Sequence, residues 1–167
     1  MTRHLTFDPT EAVDRPVVDD TAVDQLVPAA VRYVPATAES WPAWDGNPVL
    51  SDGNAWTPHK CLRRVADHLI DHQAEIECRL AGIPTIPDRW HGRKLTLDSD
   101  WARFTEADLD EATSRLSRLA VWYRARLSGL DAATLDHRPQ AEIWTIREVA
   151  HHVANVRYYA DRLDGLN

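Results

Sequence analysis

Apolar residues recur at three- and four-residue intervals in four stretches of the chain, the spacing of one face of an α-helix. The first stretch follows Thr21-Ala22-Val23-Asp24, which has the form of a capping box with Asp in place of Glu or Gln. It runs through Val34, with Pro28 expected to kink it and Pro35 to end it, because proline lacks the N–H and crowds the preceding turn. The second opens at Thr57-Pro58, an N-cap followed by proline at the first helical position, and runs to about Ala81 before Gly82 and Pro84. The third spans Thr105 to Gly129, with Leu109, Ala112, Leu116, Leu119, Tyr123 and Leu127 at bundle spacing. The fourth starts on the capping box Thr145-Ile146-Arg147-Glu148 and runs to about Leu163, before Gly165.

No stretch carries a convincing strand alternation, so the expected fold class is all-α, a four-helix bundle. Residues 1–20 read as an irregular lead-in and 21–167 as the bundle domain. Long loops follow the first two helices, at 40–56 and 83–104, and loops of that length in a small domain are often functional. The start of the second helix is echoed at the start of the fourth. Trp56-Thr57 and Val65-Ala66 match Trp144-Thr145 and Val153-Ala154 in register, with Asp67 opposite Asn155. The echo suggests two helix-loop-helix halves related by pseudo-symmetry; chance similarity between two Thr-capped helix starts is the alternative.

Composition narrows the function classes. The 167 residues carry 19 Lys+Arg against 26 Asp+Glu, a net charge of −7, which disfavours general nucleic-acid binding because phosphate neutralisation needs a basic face. No apolar run approaches the roughly 20 residues that span a bilayer, so no membrane partner is expected. Met1 to Asp20 is polar and proline-interrupted, unlike a secretory signal. The two cysteines, Cys61 and Cys78, fall on one helix, separated by about 25 Å of rise and too far apart to bridge. A reducing, cytoplasmic setting is therefore the expectation.

Seven Trp and eight His are many for this length. His68 and His72 stand four apart on the second helix and share a face. On a helical wheel His72 falls inside the apolar arc of Cys61, Leu62, Val65, Leu69, Ile76 and Leu80, with His68 at its edge. On the fourth helix His152 sits at the edge of the arc of Ile146, Val149, Val153 and Val156, while His151 points to solvent. Three inward imidazoles from two helices suit a divalent cation, zinc or nickel first, and would leave a coordination position open. Packed core histidines hydrogen-bonded to neighbours are the alternative. Glu75 lies beside the His68 edge, as a fourth ligand, an outer acceptor or a solvated surface carboxylate. Cys61 reads as a buried structural thiol, and Arg63, Arg64 and Arg147 as exposed charges. Trp56 and Trp144 would brace loops against the helices; Trp41, Trp44, Trp90 and Trp101 would wall a pocket or cover core. His59, His91 and His137 have no evident partner.

The segment Trp144-Thr145-Ile146-Arg147-Glu148-Val149-Ala150-His151-His152-Val153-Ala154 resembles the Trp-[Ser/Thr]-[Val/Ile]-Arg-Glu-x-x-x-His-x-Ala helix start of the DinB/YfiT-like superfamily. Its metal-binding His corresponds to His152. The segment from Leu62 to His72 resembles the family's His-x-x-x-His helix, although here the pair precedes the single His and the family order is the reverse. The resemblance implies a DinB-like four-helix bundle with a divalent metal held by His68, His72 and His152. It also implies an S-transferase or isomerase that uses a low-molecular-weight thiol of the mycothiol or bacillithiol kind on a small electrophile. No catalytic side chain beyond the ligands is assigned. A non-catalytic bundle binding a small ligand or a protein through its Trp-rich loops is the competing expectation. A homodimer is compatible with such a bundle, though no heptad seam marks a pairing face.

Overall fold

The computed structural model describes residues 15–51, 53–85 and 95–163. Most of the lead-in, together with Trp90, His91 and Gly165, lies outside them. The described chain is all-α apart from one short hairpin. Its elements are α1 (Val23–Ala38), β1 (Val49–Ser51), β2 (Asn54–Trp56), α2 (Pro58–Leu80), α3 (Glu106–Ser128), α4 (Ala132–Asp136), α5 (Ile146–Val153) and α6 (Arg157–Asp161). Single 3₁₀ turns occupy Trp41–Ala43, Asp98–Trp101 and Ala154–Val156.

Three helix starts follow the expected chemistry. The hydroxyls of Thr57, Thr105 and Thr145 accept from the amides of Lys60, Asp108 and Glu148, so each satisfies a donor that the first turn cannot. Asp108 and Glu148 reach back to the amides of Thr105 and Thr145, completing two capping boxes. Gly82, at φ +68°, ends the turn after α2 in the left-handed region that its missing Cβ permits.

The start of α1 departs from the expectation. Its N-cap is Ala22, without a side-chain cap, and the Thr21 amide is bonded to Asp19 Oδ1 at 2.8 Å in an Asx turn just upstream. Nor does Pro35 end the helix, since both Pro28 and Pro35 lie inside it. Burial of Val27, Ala30, Val31, Val34 and Ala38 outweighs the roughly 3 kcal/mol that an interior proline costs. The loop after α1 also contains structure that its sequence pattern did not announce. β1 and β2 pair antiparallel with Val49 opposite Trp56, and Gly53 sits at φ +72° in the turn.

The last helical stretch is interrupted rather than continuous. It tightens into a 3₁₀ turn at Ala154–Val156 between α5 and α6, advancing about 120° per residue there instead of 100°. In the packing, α1 lies along α3 and also meets α5 and α6; α2 meets α3 on one side and α5 with α6 on the other. The core between them is filled by Val27, Val34, Val65, Leu69, Ile76, Leu116, Tyr123, Val149, Val153 and Val156. The Tyr123 hydroxyl donates to the Leu69 carbonyl at 2.7 Å, anchoring α3 to the stretch of α2 that carries the histidines. No helix of the described residues is long and apolar enough to cross a membrane.

A polar clasp holds the start of α2 to the chain that precedes α3. Arg63 bonds both carboxylate oxygens of the buried Asp100, at 3.0 and 2.6 Å, and the carbonyl of Leu95 at 3.1 Å. The Thr57 hydroxyl donates to the Asp100 carbonyl, and the fully buried Lys60 Nζ donates to the Ala55 carbonyl and Thr96 Oγ1. Arg63 is therefore half-buried and Arg64 fully buried, where the sequence pattern placed both as exposed charges. The 95–104 segment folds over that face of α2 and supplies the partners that a wheel of α2 alone cannot reveal.

Candidate metal centre

α2 and α5 meet with three histidines at their contact. The rings of His68 and His72 lie 4.6 Å apart, and those of His68 and His152 4.8 Å apart. The third side, His72 to His152, measures 5.0 Å between ring centres. One ring nitrogen from each lies within 4.8 Å of the other two. A tetrahedral ion with bonds near 2.1 Å would draw such donors to roughly 3.4 Å apart, a closure of side-chain size.

His72 carries the decisive detail. Its Nδ1 lies 2.7 Å from Glu75 Oε2, and since a carboxylate only accepts, Nδ1 must hold the proton. Nε2 is then a bare lone pair, and that atom is buried without a hydrogen-bond partner. An orphaned acceptor of this kind costs about 1–3 kcal/mol unless something fills its place. A cation held jointly with His68 and His152 fits that requirement, and the all-imidazole donor set suits zinc or nickel.

The surroundings keep His68 in its ligand form. Burial holds the His68 imidazole well below its usual titration range, and the nearby His72, His152 and Arg64 act in the same direction. Glu75 is neither a fourth ligand in this arrangement nor a solvated surface group. Burial pushes its carboxyl up, but the hydrogen bond from His72 and the nearby Arg79 guanidinium outweigh that and leave it below the ordinary range. Arg79 pairs with Glu75 and donates to the Trp144 carbonyl, so one guanidinium joins the His72 support on α2 to the residue that precedes the α5 cap. The Trp144 ring lies 4.9 Å from His152, and Tyr159 lies 6.1 Å from His68.

One histidine departs from the helical wheel. His151 is buried, not solvent-facing, and burial is the leading cause of its lowered pKa. Its outer face is covered by residues before α1: Asp19 exerts a Coulombic influence on His151, and Arg15 reaches Glu148 Oε1 at 3.5 Å. His151 is no part of the three-histidine group. His59, without an evident partner in the sequence, packs edge-on to Phe104 and lies 4.0 Å from Asp108. Cys61 is buried as expected, its thiol pushed far up by burial and inert at neutral pH.

A cleft of about 770 Å³ opens beside His68 and His152, within the size range of small-molecule sites. Its walls are tyrosines: Tyr33 from α1 and Tyr158 and Tyr159 from α6, with Asn155, Arg157 and Asp161. Among the described tryptophans, Trp41 is fully buried against Phe104 and Trp44 packs on the core, so neither walls this cleft. Trp101 is exposed elsewhere. The tyrosines have one sequence signal: Tyr159 stands seven residues, about two helical turns, beyond His152 and so returns to the same face.

No family model, no curated protein and no solved structure matches the chain. The site is therefore read from its own geometry.

Proposed function

We propose that the protein is a metal-dependent enzyme of DinB-like type, in which His68, His72 and His152 hold a zinc or nickel ion and a low-molecular-weight thiol reacts with a small electrophile. The single observation that carries this reading is the buried, partnerless His72 Nε2 facing two further imidazoles beside an open cleft. The packing of α1, α2, α3 and the α5–α6 stretch against one another is compatible with a four-helix bundle. When bound, the ion would supply a Lewis acid able to lower the pKa of a thiol or water and to polarise a carbonyl.

The chain's own residues have distinct tasks in this reading. Glu75 holds the His72 tautomer, and Arg79 holds Glu75 while fixing the start of α5. Trp144 and Tyr159 pack beside His152 and His68 and exclude water from that side. The cleft between Tyr33 and Tyr158 admits the reactants. Three neutral protein donors leave at least one position for an exogenous ligand, the pattern of a catalytic rather than a structural site.

The test is thiol consumption by protein loaded with zinc or nickel, using mycothiol and bacillithiol with maleimide as the electrophile. Conjugation that requires the ion and falls at least 100-fold in His152→Ala is the expected result. Loaded protein that gives no ion-dependent conjugation with either thiol contradicts the reaction class.

A further inference from the structure

The last helix breaks where it passes the three histidines. Two residues after His152 the backbone tightens into the 3₁₀ turn Ala154–Val156, and α6 resumes at Arg157. In an unbroken α-helix the residue three places on lags by about 60° around the axis. Steps of about 120° remove most of that lag, since side chains at i and i+3 eclipse in a 3₁₀ turn. The turn brings Asn155 onto the strip that carries His152, and both line the cleft together with His68. Tyr159, four residues beyond Asn155, continues the strip and lines the same cleft.

These two side chains carry hydrogen-bonding groups that the fold does not use. Neither the Asn155 carboxamide nor the Tyr159 hydroxyl has a hydrogen-bond partner among the described residues. The Tyr159 ring is nonetheless fixed, 6.1 Å from His68 and 5.9 Å from Trp56 between centres. The charged groups of the cleft are engaged with one another's surroundings instead. Tyr33 donates to Asp161 at 2.6 Å and lies under the Arg157 guanidinium at 5.6 Å, so that wall holds one charge of each sign. Recognition beside the histidines is left to neutral groups, and a carboxamide N–H and a phenol O–H both donate to a carbonyl oxygen.

We propose that Asn155 and Tyr159 are catalytic residues that hold the carbonyl oxygen of an unsaturated carbonyl electrophile. The proposal rests on the enzymatic reading above and assigns that site a donor pair. The thiolate sulfur bonds to the unsaturated carbon, the C=C electron pair shifts toward the carbonyl, and the oxygen takes the negative charge. The Asn155 N–H and the Tyr159 O–H stabilise that oxygen where the charge develops. The proton lost by the thiol goes to the α-carbon, giving a thioether with no net oxidation or reduction.

The experiment uses the whole chain loaded with zinc, with mycothiol or bacillithiol as the thiol and maleimide as the electrophile. Zinc affinity, kcat/KM for maleimide and KM for the thiol are measured for the wild type, Asn155→Ala and Tyr159→Phe. The last variant removes one oxygen and keeps the ring. A fall of at least tenfold in kcat/KM for maleimide in each variant, with zinc affinity and thiol KM unchanged, is the expected result. Unchanged kcat/KM in either variant overturns the proposal and leaves the metal centre standing. So does a fall matched by weaker zinc binding or a raised thiol KM, which marks a structural role. A wild type without ion-dependent conjugation overturns both the donor pair and the enzymatic reading.

Discussion

The two nitrogens of His72 meet different environments, and the difference defines the site. Glu75 takes the proton of one, and the other is left as a buried acceptor facing His68 and His152. Glu75 therefore acts through His72, setting its tautomer and its ring plane. Glu75→Gln is predicted to keep the helical circular-dichroism spectrum and to lower zinc affinity about 10- to 100-fold, measured by competition with a chelator. Affinity equal to the wild type would contradict that role. At this scale much was legible before the structure. The four-residue interval of His68 and His72 and the wheel position of His152 identify the three residues the fold brings together. The burial of His151 and Arg64 was not legible, because the pieces of chain that meet them, residues 15–20 for His151 and the Tyr159 ring for Arg64, come from elsewhere in the sequence.

Helix boundaries were readable where a side chain caps them locally. Thr57, Thr105 and Thr145 mark three starts, and Gly82 and Gly129 mark ends, because each acts within a few residues of its own position. Pro35 misleads because a local rule meets a long-range gain, the burial of one face of α1 on α3. The hairpin is short, and its one local signal is the Asp52-Gly53 dipeptide, a hairpin-turn sequence flanked by few alternating positions. The clasp at the start of α2 has a calculable weight. Asp100 is 2% exposed and Arg63 retains partial access to water, so Asp100→Ala strips a bidentate partner from a guanidinium that solvent can rescue only in part. The predicted cost is about 2–3 kcal/mol, seen as a lower urea midpoint with an unchanged slope. A loss below roughly 0.5 kcal/mol would show that the clasp is no more than a surface pair.

Glu148 ties three distant pieces of the molecule together. It caps α5 through the Thr145 amide, and it pairs with Arg138 at 2.8 Å and Arg15 at 3.5 Å. Burial raises its carboxyl, but the bonds from Arg138 and Thr145 outweigh this and leave it below the usual value. A carboxylate whose folded pKa is depressed binds fewer protons than the unfolded chain below about pH 4.5, so its contribution is complete above that value and is lost as the pH falls through the folded pKa. Metal-free protein is therefore predicted to lose stability between about pH 5 and pH 3, and Glu148→Gln to lose less over the same window, measured by urea unfolding at each pH. Parallel pH profiles for the two proteins would contradict the assignment. The central claim concerns a different convergence, three imidazoles around one cation, and X-ray absorption at the zinc edge of the loaded protein tests it most directly. The account predicts one ion per chain with three imidazole nitrogens at about 2.0–2.1 Å. An ion whose shell lacks imidazole, or a chain that retains no zinc, would contradict it.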